Sequence, residues 1–246
     1  YPTGVGALLI RRSAFPKLQR PWFAGGTVNF ASVQGQAHVL SPNEAAFEDG
    51  TLNYLSIPAV EIGLRHLQSI GIETIGERIR CLTGWLLDEL FALRHSNGRP
   101  MVRIYGPVTT EARGGTVTIN LYDPHGHLLD YRRVEELAGD VDISLRTGCF
   151  CNPGAGEMAE GLNEGDMQAA YELGADVNLQ SFMRLMQSRG NNKSAGAIRA
   201  SVGLATNFAD AQRFLTFVSG FRDQTRLTVG DVTFDIESCR VIRDGS

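Results

Sequence analysis

Two cysteines, Cys149 and Cys151, stand in the stretch Arg146-Thr-Gly-Cys-Phe-Cys-Asn-Pro-Gly-Ala-Gly156 and are the side chains best suited to nucleophilic chemistry. Gly148, Pro153, Gly154 and Gly156 forbid a regular continuation, so both thiols are predicted to lie in a loop. Val141–Leu145 just before them alternates apolar and polar, which predicts a half-buried strand that delivers the loop. Thiolate is the reactive form, and a cation such as Arg146 favours it by charge. In an extended loop the two thiols would point to one side and Phe150 to the other.

Other uses of these cysteines weigh against that reading. A structural zinc site needs four ligands, and Cys81 and Cys239 lie in unrelated segments without a paired Cys or His, so no metal is expected. Four cysteines in 246 residues are too sparse for a disulfide framework. Buried free thiols and a single reactive loop thiol both remain open on spacing alone.

The loop resembles the active-cysteine loop of the class V aminotransferase family, in the form carried by molybdenum cofactor sulfurases and cysteine desulfurases. The resemblance extends through Tyr1-Pro-Thr-Gly-Val-Gly-Ala-Leu-Leu9, Pro21-Trp-Phe-Ala-Gly-Gly-Thr27, Phe47-Glu-Asp-Gly-Thr-Leu-Asn53 and Ala197-Ile-Arg-Ala-Ser-Val-Gly203, up to about residue 225. Ordered motifs that agree are more specific than any one of them. The resemblance implies pyridoxal 5'-phosphate as cofactor and L-cysteine as substrate, with Cys151, not Cys149, as the persulfide-forming residue. It implies further that Arg199 grips the substrate carboxylate and that Thr51 binds the cofactor phosphate of the neighbouring subunit in a homodimer, while Gly25 and Gly26 read as a tight connection that could also let backbone approach a bound cofactor closely. The sulfur acceptor it suggests is the molybdenum cofactor. The family lysine that holds the cofactor falls before Tyr1, and the two lysines present, Lys17 and Lys193, are expected to be solvated. The chain is therefore expected to be a piece of the enzyme. Other readings are a catalytically silent dimerisation or cofactor-cupping module, a selenocysteine lyase, or an aminotransferase.

Composition is compatible with these expectations. The chain is 43% hydrophobic with a net charge of −4, enough apolar residues for a sizeable core and no basic footprint for nucleic acid or an anionic membrane. No apolar run could span a bilayer and no secretion signal opens the chain, which predicts a cytoplasmic location.

The elements that must position these residues follow from periodicity. Gly4–Ile10 reads as a buried strand, 34–39 as a short strand, and 57–70 and 72–93 as amphipathic helices broken at Gly71. Asn53 or Ser56 is the candidate cap before Pro58, and Asn97-Gly98 the candidate helix stop. Strands are expected at 101–105, 116–121, 141–145 and 197–203, and helices at 131–138 and, after Asn207, 208–221. Short helices with a mobile 188–194 loop are expected over 157–190, and a hairpin over 227–242. His66 and His95 are expected on helices in surface or packing roles, and His125 and His127 in an exposed loop. The expected class is α/β, the C-terminal part of a fold-type-I enzyme. Its parts would be a remnant of the large-domain sheet (1–56), linking helices (57–96), a small α+β domain (97–226) and a terminal strand or tail (227–246).

Overall fold

The computed structural model describes residues 4–189, 193–194, 196–230, 232–235 and 240–243. The chain divides into two compact units, residues 1–72 and 73–246. In the first, β1 (Val28–Ser32) and β2 (Ala37–Leu40) pair as an antiparallel hairpin, and α1 (Ile57–Ile70) follows a bend around Thr51. Pro58 sits in the first turn of α1, where its missing N–H costs nothing, while the Asn53 side chain accepts from the Ser56 amide. Gly71, at φ +96°, ends α1 with its N–H on the Leu67 carbonyl, and α2 (Ile72–Ala92) starts at the next residue.

The second unit is built on a four-stranded antiparallel sheet of order β3-β4-β6-β5, from β3 (Val102–Tyr105), β4 (Thr116–Leu121), β5 (Arg146–Gly148) and β6 (Ala197–Ser201). Successive side chains on a strand alternate between faces. Val117, Ile119 and Leu121 of β4 and Ile198 of β6 therefore share one face. They are buried with Leu86, Leu87 and Leu90 of α2, Tyr131 and Val134 of α3 (Tyr131–Gly139), and Phe214 and Val218 of α7 (Phe208–Ser219). Burial of each such aliphatic side chain contributes roughly 1.5–3 kcal/mol. Register places Arg103, Tyr105, Thr118, Asn120, Ala197, Arg199, Arg146 and Gly148 on the opposite face. Between β5 and β6 the chain forms α4 (Pro153–Glu160), α5 (Glu164–Tyr171) and α6 (Leu179–Ser188). Asn163 and Asn207 cap α5 and α7 in reciprocal boxes with Asp166 and Asp210. A short helix α8 (Arg226–Val229) and the hairpin of β7 (Val232–Asp235) and β8 (Arg240–Arg243) close the described chain.

The structure differs from the sequence reading at several points. Residues 4–10 are irregular, with Leu8 84% and Leu9 98% exposed, because no strand among the described residues offers them a ladder. Val141–Leu145 is not a strand. The Val141, Asp142 and Ile143 amides bond to the Ala138 and Gly139 carbonyls at the end of α3, and the ladder begins only at Arg146. Asn97-Gly98 does not cap α2, which has ended at Ala92; it turns the chain between Arg94 and Pro100. His95 lies after that helix and is buried, its Nδ1 accepting from the Asp223 amide and its Nε2 therefore donating to the Tyr122 carbonyl. His66, His125 and His127 are exposed as expected. The expected 188–194 loop and Cys239 lie partly or wholly outside the described residues.

Gly196 fixes where the cysteine loop starts. A Cβ there would sit 2.8 Å from the Gly148 carbonyl carbon and 2.9 Å from Tyr131 Cζ, so β6 and the end of β5 approach as closely as backbone allows. Gly196→Ala is expected to destabilise the fold by roughly 1–3 kcal/mol. Gly154→Ala, in a helix with open space around it, should instead stabilise by about 0.5–1 kcal/mol. Urea unfolding of both variants checks this; wild-type stability in Gly196→Ala would show that the contact carries no constraint.

Candidate functional site

The polar face of the sheet, with α4, α5 and α6, encloses a cavity of about 770 Å³. Arg199, Cys149, Phe150 and Glu160 line it alongside apolar Met158, Met167 and Phe182. Arg199 stands in β6, an inner strand, and is only half-exposed; its Nε is buried and bonds to nothing among the described residues. A buried N–H left without an acceptor costs about 1–3 kcal/mol. Arg146 is its direct partner across β5 and β6, so two cations share one side of the sheet. Like charges opposite each other destabilise a sheet unless an anion lies between or beside them. Both features suit a carboxylate, which a guanidinium can hold by two parallel bonds.

The cysteine loop is tied to this arginine. The Phe150 ring lies under the guanidinium at 5.1 Å, a cation–π contact. Gly148 takes φ +105°, and Phe150 and Cys151 follow at +55° and +54°. Two successive non-glycine residues in the left-handed region are strained backbone, which persists only where the surroundings enforce it. The loop is thus a tight turn and not the extended segment expected, so the same-side argument for the two thiols does not apply. Both thiols are exposed and free. Cys149 lines the cavity, whereas Cys151 lies on the loop beside it, directly before the Asn152 cap of α4.

Beneath the loop lies a polar cluster that sequence reasoning missed. Asn120, fully buried, donates through Nδ2 to Glu160 Oε1 at 2.8 Å, with the Gly196 carbonyl at 3.2 Å and the Tyr105 hydroxyl at 3.1 Å around the same nitrogen. Burial pushes the Glu160 carboxyl above the usual carboxylate range, against the opposing pull of Tyr105, Arg103, the Ser194 backbone and Asn120. Burial also raises the Tyr105 hydroxyl far above its ordinary value. Parity in Thr116–Leu121 could have put Asn120 on the same face as Thr118, but nothing in the sequence marks Glu160.

In the first unit, Gly25, Gly26 and Thr51 come together. The Gly50 amide donates to the Gly25 carbonyl at 2.7 Å, and a Cβ on Gly26, at φ +84°, would stand 3.3 Å from the Gly50 carbonyl oxygen. Thr27, fully buried, closes the turn by accepting from the Ala24 amide and donating to the Ala24 carbonyl. Arg20 bonds the Ala46 carbonyl and pairs with Asp49, which holds 46–50 in place. Thr51 follows directly, exposed. A free hydroxyl beside an interlocked glycine turn fits the phosphate end of pyridoxal phosphate, since no side chain blocks the backbone. Lys17 is exposed, but Lys193 is not the solvated residue expected: it is half-buried and paired with buried Asp166, and that contact foremost holds the Asp166 carboxyl below the usual carboxylate range.

Among the described residues no three His, Cys, Asp or Glu side chains are grouped to hold a metal ion, and no helix is long and apolar enough to cross a membrane. Comparison with known proteins identifies the family. The chain is 36% identical over 219 residues to a protein of Solanum lycopersicum named molybdenum cofactor sulfurase, and 37% over 224 residues to its namesake in Arabidopsis thaliana. In each case 89% of the chain aligns, and it spans 26% of the relative's length. Among solved structures, a cysteine desulfurase from Thermococcus onnurineus shares the fold at a TM-score of 0.54 and 23% identity, covering 86% of this chain and 41% of that one. The family model described as "Aminotransferase class-V" matches residues 1–214. The chain belongs to the class-V aminotransferase family, an α/β fold of the fold-type-I kind whose cofactor is pyridoxal 5'-phosphate.

Proposed function

We propose that the protein is part of a cysteine desulfurase-like enzyme that takes sulfur from L-cysteine as a persulfide on Cys151 and passes it to an acceptor, the molybdenum cofactor. The observation that carries this reading is Arg199: a cation with a buried, unbonded N–H, in one cavity with a strained thiol loop. Thr51, Gly25 and Gly26 would hold the cofactor phosphate. Bound pyridoxal phosphate supplies an electron sink that lets a substrate carbon carry negative charge. Arg199 holds the substrate carboxylate, which leaves the sulfur end for the thiol. The Cys151 thiolate attacks that sulfur; an S–S bond forms, the C–S bond breaks, and the electron pair stays on the substrate carbon until a proton completes alanine. The names borne by the curated relatives support the acceptor, and the enzyme is taken to work in the cytoplasm as a homodimer.

A second reading follows from the lysines. Within the second unit the one lysine, Lys193, is engaged by Asp166 and does not line the cavity. On that reading this polypeptide is a dimerising or cofactor-cupping module. Absorbance of the purified chain with added pyridoxal phosphate separates the two, since only an enzyme complete in itself forms the bound-cofactor band.

Cys151→Ser in the complete enzyme is expected to abolish persulfide formation and to spare cofactor binding, while Cys149→Ser retains most activity. Persulfide labelling and cofactor absorbance read the two effects. Because Cys149 is the thiol that lines the cavity, the reverse pattern would transfer the nucleophile to it.

Arg199→Ala should weaken cysteine binding by roughly 2–5 kcal/mol, and Arg199→Lys should restore only part, since an ammonium cannot form the two-pronged contact. Unchanged steady-state constants in Arg199→Ala would reduce it to a structural residue.

Thr51→Ala should loosen the cofactor without altering thiol labelling of Cys151. If Thr51 acts across a dimer, a mixed dimer of a Thr51→Ala subunit and one lacking the cofactor lysine should keep one site of near-normal affinity. Weak binding in that mixed dimer, as in the Thr51→Ala homodimer, would put the threonine in its own subunit or away from the phosphate.

A further inference from the structure

Glu160 ends α4 on the wall of the Arg199 cavity, 7% exposed, and its chemistry is not used by the steps above. Two acceptor atoms of one joined pair of side chains are buried without partners among the described residues: Glu160 Oε2 and Asn120 Oδ1. The pair is already linked through Asn120 Nδ2 and Glu160 Oε1 at 2.8 Å. A carboxyl and a carboxamide can join as a ring of one N–H···O and one O–H···O bond, and the two unpartnered oxygens are the atoms that the second bond of such a ring would use. Two acceptors cannot bond to each other, but a single proton on one of them turns it into a donor for the other.

The Tyr105 hydroxyl, the Ser194 backbone and Asn120 give Glu160 hydrogen bonds and Arg103 an attraction, but no ion pair is bonded to it among the described residues. From β3, Tyr105 is a hydroxyl, and Arg103 turns its Nη2 to the Ala159 carbonyl and stacks on the Tyr105 ring. Tyr122 faces Tyr105 and Arg103 from the end of β4. Lys193, one residue before Ser194, is held by Asp166 on α5. Arg199 of β6, Cys149 of the loop and Glu157 of the same helix line the cavity, and no ion pair joins Arg199 to Glu160 among the described residues. A buried carboxylate without such a partner is costly, and the neutral acid avoids that cost.

We propose that Glu160 is held as the neutral acid, its proton on Oε2 bonded to Asn120 Oδ1, so that Arg199 faces the cavity as an uncompensated cation and the cavity takes a carboxylate ligand only while that proton stays. An ionised Glu160 would add negative charge to the wall from which Arg199 recruits its anion. Burial of the carboxyl acts in the same direction. The ligand half of the proposal rests on Arg199 as the carboxylate site; the protonation half does not. A carboxyl easier to protonate in the folded chain than in the unfolded one stabilises the fold fully at acid pH, and that contribution is lost as pH rises from the usual carboxylate range through the raised folded value.

Infrared difference spectroscopy of the full chain against Glu160→Gln tests the proton, and saturation-transfer NMR with acetate tests the ligand. At neutral pH the wild type should show a protonated-carboxyl C=O band that shifts in D2O and is absent from Glu160→Gln. As pH rises the band should fade, and acetate affinity should fall in parallel by about tenfold. In Glu160→Gln, where a neutral amide replaces the acid, affinity should not follow that titration. Should the variant fail to fold, parallel loss of band and affinity in the wild type alone carries the test. Only carboxylate bands at neutral pH overturn the proposal, and so does an acid band whose loss leaves acetate affinity unchanged. An acid band without acetate binding in either protein keeps the neutral acid and rejects Arg199 as the carboxylate site.

Discussion

A half-buried arginine whose Nε finds no acceptor among the described residues is the constraint on which the second unit's site turns, and the surrounding architecture reads as what makes that arrangement tolerable. Arg199 is in β6, between β4 and β5, so its backbone is fixed on both sides and the side chain cannot leave by fraying. The Phe150 ring covers the guanidinium face and offsets part of the lost hydration. What the protein leaves open is the N–H edge. A donor without a partner among the described residues gains when a matching anion arrives, because part of its desolvation has already been met in folding.

Strand parity decides what else shares that face. Because the side-chain period is two, the residues that bury Val117, Ile119, Leu121 and Ile198 against α2, α3 and α7 also commit Thr118, Asn120, Ala197 and Arg199 to the other side. A one-residue slip would exchange core and site, costing several buried aliphatic side chains at once. The core thus selects the register, and the register places the arginine. The close approach of Gly196 to Gly148 extends the same control to the loop, since the chain leaves β5 at a point set by backbone contact with β6.

Much of this was legible. The limits of α1 and β4 follow from apolar spacing, and those of α2, β6 and α7 lie within two residues of the expectation, with Asn207 capping as its side chain requires. Where reading failed, the deciding interaction was not local. Val141–Leu145 carries strand alternation, but its amides complete the end of α3, and Gly4–Ile10 has the apolar content of a strand without a ladder among the described residues. The roles of Cys151, Arg199 and Thr51 came from resemblance, because one cysteine, arginine or threonine carries no address by itself, whereas Gly25 and Gly26 were legible only as a turn where backbone could approach a ligand. Glu160 carried no signal at all: its meaning comes from Asn120, forty residues earlier, and from burial that a polar helix sequence does not announce.

The loop and the buried cluster are mechanically one object. α4 begins one residue after Asn152, whose side chain caps the Ala155 amide, and ends at Glu160, whose carboxyl is bonded into β4 through Asn120. The thiol turn is therefore anchored at both ends, by β5 before Cys149 and by this short helix after Cys151. Held so, Phe150 and Cys151 can be kept in the left-handed region against a cost of about 1–3 kcal/mol each. Strain of this kind is released by movement, and the exposed side of the turn is where movement is cheapest. Under the proposed function, a thiol that meets a substrate in the cavity and then an acceptor outside it would use such a turn, rigid at its roots and strained at its tip.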